Sequence, residues 1–256
     1  MNQKQRRVWL IRALLEEMPQ YQYPVFPYTP DRQWRLLRSL MNVRPPMPVT
    51  EKFLQVQDAF LREMAEEKGI VDAESLPPCA KDNRLVLWQG DVTTLRCDAV
   101  VNAANSRLLG CFQPCHDCVD NIIHTMSGVQ LRLACNEMMQ DQEEPAGQAK
   151  ITPGFNLPAK YVLHTVVPVI DGEVSAEAES LLASCCRSCL DLAEQHRLHS
   201  IAFCSFSGHS SFPQDRAAEI TFRTVEAFLQ KETCIRRVIF TVPKADSMTI
   251  WQNLLA

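Results

Sequence analysis

Residues 99–105 read Ala99-Val100-Val101-Asn102-Ala103-Ala104-Asn105. The run opens with apolar residues that do not alternate with polar ones. That is the pattern of a strand covered on both faces, and so of a parallel sheet. Asn102 and Asn105 flank small residues that leave room for a ligand to come close; the plainer reading is that their amides satisfy loop backbone groups. Similar short apolar runs recur at 84–88, 160–167, 201–205 and 238–242. Helical periodicities lie between them at 118–139, 176–196 and 213–231, with a last helix over 246–255. Strands alternating with long helices imply an α/β fold, with a mainly parallel sheet and helices on both faces. Ligands in such folds sit beyond the carboxyl ends of strands, so the loops after Trp88, Val101 and Ser205 matter most.

The first 80 residues have a different character. Val8, Ile11, Leu15 and Met18 share one face of a helix over 8–18. Trp34, Leu37 and Met41 stripe a second over 31–42, which Arg44-Pro45-Pro46-Met47-Pro48 stops. Thr50 caps a third that runs to Lys68 and ends at Gly69. The expected organisation is a helical extension at 1–80 followed by the α/β unit at 81–256.

The chain has 256 residues, 46% apolar and 22% charged, which excludes a disordered, collagen-like or coiled-coil protein. No apolar run is long enough to span a membrane. Arg12 and Glu16-Glu17 cut short the apolar start at 8–11, so no secretory leader is expected. A net charge of −4 gives no broad basic footprint, so no nucleic-acid partner is expected. An anionic ligand would be held locally, by backbone N–H groups or a metal. Eleven cysteines, an odd number, point to reduced thiols and a cytoplasmic location.

Chemistry-bearing residues gather in the loops. In Gln89-Gly90-Asp91-Val92-Thr93 the glycine permits a tight turn, and Asp91 can accept from an exocyclic amine or simply cap the turn. Residues 110–118 read Gly110-Cys111-Phe112-Gln113-Pro114-Cys115-His116-Asp117-Cys118. Four soft donors bunch directly before a helix, with no second cluster at a fingerlike distance. Three local ligands and one open position are the arrangement of a catalytic zinc. Asp120 follows in the first helical turn, where its charge suits the helix dipole. His124 faces the same side and reads as a packed core histidine. Ser205-Phe206-Ser207-Gly208-His209-Ser210-Ser211-Phe212-Pro213 joins a strand to a helix, and its small residues can form an anion nest. Cys185, Cys186 and Cys189 ride a helix, where packing is the default role.

Three motifs occur in order: Gln-Gly-Asp-Val-Thr at 89–93, Val-Asn-Ala-Ala-Asn at 101–105 and Leu-Pro-Ala-Lys-Tyr-Val-Leu-His-Thr-Val at 157–166. Together they resemble the macrodomain family over residues 81–256. The resemblance implies a three-layer α/β/α sandwich with a mixed, mainly parallel sheet that binds ADP-ribose. Hydrolytic members of the MacroD type carry a glycine run where this chain has Cys111 to Cys118. That insertion is similar to the zinc-containing macrodomain class, which also has a helical N-terminal extension. The class implies one zinc per chain on Cys111, His116 and Cys118, with Cys115 a spectator. It implies hydrolysis of the bond between ribose C1″ and a protein side chain, with Asp120 and Asn105 as catalytic residues. Asp91 and the Val92 backbone would take the adenine, Asn105 would hold the distal ribose, and Cys118, Val119 and Asp120 would also contact the ADP-ribose. Ser207, Gly208, His209, Ser210 and Ser211 would wrap the diphosphate and the distal ribose. That loop is more polar than the family's usual one. An ADP-ribosylated protein is the implied substrate, a sirtuin-type transferase an implied partner, and a monomer the expected state. The same motifs also fit a non-catalytic reader of ADP-ribose or an O-acetyl-ADP-ribose deacetylase.

Overall fold

The computed structural model describes residues 1–256 except 22–25, 171, 207–211, 243–247 and 256. Three helices come first: α1 (Gln3–Glu17), α2 (Pro30–Val43) and α3 (Glu51–Lys68). Thr29 and Thr50 cap α2 and α3 by accepting from the backbone N–H of Arg32 and Phe53. The apolar stripes of the three helices close on one another around Leu10, Ile11, Leu14, Leu37, Leu40, Phe60 and Leu61. Arg44, 1% exposed, locks the end of α2. Its guanidinium donates to both oxygens of Glu17 at 2.7 Å and to the carbonyls of Met47 and Pro48.

The rest alternates strands and helices. β1 (Val71–Asp72) pairs in parallel with β3 (Leu95–Arg96) as a small side ribbon. β2 (Leu85–Gln89), β4 (Ala99–Ala104), β5 (Ala149–Pro153), β6 (Tyr161–Val166), β7 (Ser200–Phe203) and β8 (Arg237–Val242) form one sheet in the order β2-β8-β7-β4-β6-β5. All neighbours are parallel except β5, which runs antiparallel to β6 at the edge. The strand period of two sorts side chains between two cores. From β4, Ala99 and Val101 enter one core and Val100 and Ala104 the other. α6 (Ala176–Gln195), α7 (Gln214–Leu229) and α8 (Met248–Leu255) cover the first face; α4 (Val119–Ser127) and α5 (Val129–Met139) cover the second. The result is the expected three-layer sandwich with a mixed sheet. No described helix is long and apolar enough to cross a membrane.

Two departures from the sequence reading are physical. The continuous helix expected over 118–139 breaks at Gly128, whose φ of +94° no helix tolerates, and α5 restarts there. The sequence gives no sign of β5, because an edge strand carrying Lys150 and Pro153 lacks the apolar run of a central one. Cys185, Cys186 and Cys189 are fully buried packing residues of α6, and burial pushes their thiols up.

Candidate functional site

The site grows from the carboxyl end of β4. Register pairs Asn102 of β4 with His164 of β6. Both point to the α4/α5 face, since each sits an even number of residues from Val100 or Val162. Both are fully buried. The Asn102 amide donates to Asp120 Oδ1 at 2.8 Å and approaches His164 Nδ1 at 3.2 Å. An amide nitrogen only donates, so Nδ1 accepts and the proton of His164 sits on Nε2. That proton points to Thr152 Oγ1 at 2.9 Å. Burial lowers the pKa of His164 to about 3, so the ring is neutral.

Asp120 is the second residue of α4 and only 5% exposed. Besides Asn102, its carboxylate has Asn105 Nδ2 at 3.4 Å and His124 Nε2 at 3.6 Å. Asn105 spends its amide within its own loop: Nδ2 donates to the Gly110 carbonyl at 3.0 Å, and Oδ1 accepts from the Arg107 backbone at 3.1 Å. Gly110 has φ +77°, and a Cβ there would lie 2.7 Å from the His124 ring, so only glycine lets the loop pass so close. His124 is buried and held neutral by burial, with the Arg132 and His164 fields acting the same way. Next to it lies a cavity of about 10 Å³, room for one water. Cys135 completes this buried group with His124 and His164, and burial pushes its thiol up to about 12.

The loop before α4 brings Cys111, His116 and Cys118 together, with their donor atoms all within 4.8 Å of one another. Cys111 Sγ lies 3.6 Å from His116 Nδ1. Cys118 is the N-cap of α4 and accepts from the Asn121 backbone N–H at 3.4 Å. Burial pushes its thiol up to about 12, against that N–H, and the neighbouring Cys111 pushes the same way as burial. Cys115 turns away: its thiol donates to the Arg35 carbonyl at 3.3 Å and lies 3.2 Å from Ser39 Oγ. Val119 packs between the two cores.

Asp91 caps the turn after β2, with Oδ1 accepting from Thr93 N–H and hydroxyl. Its Oδ2 accepts from Lys68 Nζ at 3.0 Å. Burial would raise its pKa, but Thr93 and Lys68 outweigh it and hold the carboxyl below the usual range. Val92 is buried in the core beneath. Ser207, Gly208, His209, Ser210 and Ser211 lie outside the described residues.

Several residues at the site carry no sequence signal as loop motifs do. Asn121, fully buried, donates to the carbonyls of Gln113 at 2.9 Å and Cys111 at 3.3 Å. Arg132 of α5 donates to the Leu109 carbonyl and to those of Met41 and Asn42, and its guanidinium lies 4.2 Å over the Phe112 ring. Burial lowers its pKa to about 10, the field of Asp120 opposing. Asn102 and His164 lie in the motifs at 101–105 and 157–166, as polar residues inside otherwise apolar strands.

A family model described as Macro domain matches residues 101–221. A protein-ADP-ribose hydrolase of Treponema medium is 47% identical over the whole of both chains. The chain belongs to the macrodomain family. Another protein-ADP-ribose hydrolase, from Staphylococcus aureus, is 49% identical over 93% of this macrodomain and 91% of its own length. Among solved structures, a Trypanosoma brucei macrodomain in complex with ADP-ribose superposes with a TM-score of 0.67 at 27% identity, covering 90% of this chain and 97% of that one. An Oceanobacillus iheyensis macrodomain with ADP gives a TM-score of 0.60 at 35% identity over 67% of this chain and 89% of that one. The first of these two covers most of the N-terminal helices too.

Proposed function

We propose that this macrodomain is a zinc-dependent hydrolase that removes ADP-ribose from modified proteins by cleaving the bond between ribose C1″ and the side chain. The hydrolase names of its full-length relatives support the reaction class. The observation that carries the rest is the start of α4, where the N-cap Cys118 and the carboxylate of Asp120 sit two residues apart on one helical turn.

The donor set fits zinc. A tetrahedral zinc with ordinary Zn–S and Zn–N bonds holds its sulfur and nitrogen ligands about 3.6 Å apart. Cys111 and His116 already stand at that spacing. When bound, zinc would supply Lewis-acid polarisation of an oxygen near the distal ribose.

The protein's own groups do the remainder. The Asp120 carboxylate offers several lone-pair positions, of which Asn102 and Asn105 occupy part. Held in one orientation, it can align a water and take its proton as that water attacks C1″. The transition state carries oxocarbenium-like charge, which the buried carboxylate also favours. Neutral His164 keeps the Asn102 amide in place and adds no competing positive charge. Asp91, at the end of β2, would receive the adenine amine beside Lys68.

The test is release of ADP-ribose from an automodified protein, run beside calorimetric binding of free ADP-ribose. Asp120→Ala is expected to cut turnover by ~100-fold or more while leaving affinity within a few-fold. Cys118→Ala and His116→Ala are expected to lose both bound zinc and turnover. Full turnover by metal-stripped protein would remove zinc from the reaction. Binding without turnover in the zinc-loaded wild type would make the chain a reader.

A further inference from the structure

Residues 111–118 form no helix or strand, yet three donor atoms are gathered there. Something outside the loop must hold it. From the inner side Asn121 grips the Cys111 and Gln113 carbonyls. From the outer side the grip comes from the N-terminal bundle. Arg38 and Ser39 of α2 lie four and three residues before Asn42, so each neighbours it on the helix surface. Arg38 donates to the His116 carbonyl at 2.7 Å, and the same guanidinium donates to Asn121 Oδ1 at 2.8 Å. Asn42 Oδ1 accepts from the Cys115 backbone N–H at 2.9 Å, while its Nδ2 donates to Thr125 of α4 at 3.0 Å. Cys115 has φ +52°, a left-handed conformation that residues with a Cβ seldom adopt, so the turn needs that outside anchor.

We propose that α2 is a structural wall of the metal loop, and that Arg38 is a positioning residue that sets His116 against the two thiols. The proposal rests on the zinc reading above. One guanidinium links the carbonyl of a donor residue directly to the asparagine that holds the other end of the loop. Ser39 and the Arg35 carbonyl meanwhile engage the Cys115 thiol and keep it facing α2. The loop is thereby left with three donors instead of four, which leaves a coordination position for substrate or water. Partners of this kind around a ligand fix its direction, and losing one typically weakens metal binding 10–100-fold.

The experiment titrates metal-stripped protein with Zn2+ against a competing chromogenic chelator. Arg38→Ala is expected to weaken zinc binding about 10–100-fold. Arg38→Lys, which keeps one donor for the His116 carbonyl, is expected to recover part of that loss. Melting of the metal-free proteins and calorimetric ADP-ribose affinity should match wild type in both variants. Cobalt-loaded Arg38→Ala should also show a shifted visible spectrum, reporting altered ligand geometry. Arg6→Ala, whose guanidinium pairs with Glu63 inside the bundle, should bind zinc as wild type does. If Arg38→Ala does not fold, Asn42→Ala tests the same wall through the Cys115 backbone. Wild-type zinc affinity in Arg38→Ala would overturn the inference, as would a loss matched by an equal fall in metal-free stability. Wild-type protein that binds no zinc, or binds it undiminished after Cys118→Ser, would instead overturn the zinc reading beneath it.

Discussion

Asn102 has one amide nitrogen and two neighbours that need it. It serves Asp120 and His164 together, and His164 donates its one ring N–H to Thr152. The chain works only while His164 is neutral, since a second ring proton would meet the amide head-on. Its pKa, about 3 in the fold, lies below the ordinary value of 6.5. The unfolded chain therefore binds a proton that the folded one refuses as pH falls below 6.5. Stability is full above that pH and declines between 6.5 and 3. At pH 5 the cost from His164 is about 2 kcal/mol. His124, lowered for the same reason, adds in the same direction. Urea midpoints at pH 7 and pH 5 should show this loss in the wild type and a smaller one in His164→Gln. Identical pH dependence in the two would mean that His164 is charged in the fold. In the sequence Asn102 and His164 stand in two of the three motifs, each as a polar residue within an apolar strand. Strand alternation puts them on one face, but their pairing needs the β4–β6 register.

The break between α4 and α5 is the element that shapes the site. Hydrophobic periodicity runs straight through it, which is why one helix over 118–139 was expected. Gly128 stops the first helix, and the α3 residue Gln57 starts the second by accepting from the Val129 N–H at 3.0 Å. The new direction carries Arg132 and Cys135 into the site. Gly128→Ala is expected to lose about 1–3 kcal/mol in denaturant unfolding, since alanine at φ +94° is strained. Its Cβ would also lie 2.5 Å from the Gln57 and Gln130 side chains. Wild-type stability would show that the turn relaxes without cost. The opposite end of α4 was legible: Cys118 before a helix, with Asp120 in its first turn, follows from local order alone.

Across the whole molecule the N-terminal bundle has a core of its own that a few residues join to the core beneath the sheet. Val129 of α5 belongs to the bundle's core, while Trp34 of α2 and Met64 of α3 also pack against the core beneath the sheet. Arg132 adds a polar tie by donating to carbonyls at the end of α2. A change of pattern near residue 80 separates the two in the sequence, and these contacts tie them together in the fold. One cooperative thermal transition is expected for the full chain, with calorimetric and van't Hoff enthalpies in agreement. Two resolved transitions would mean that the bundle folds by itself.

Strand and helix types, the turn at Asp91 and the bunching of four soft donors at 111–118 are matters of neighbouring residues. Periodicity, capping and short-range spacing express them directly, so the chain order alone was enough. The choice of Cys111, His116 and Cys118 among the four donors came from the resemblance to the zinc-containing macrodomains. The grip of Arg38 on His116, the Gln57 cap on α5 and the Asn102–His164 pair join residues 78, 72 and 62 positions apart. No local pattern encodes such partners. They exist because packing the bundle against α4 and α5, and β4 beside β6, brings polar groups into places without water, where each must find a protein partner.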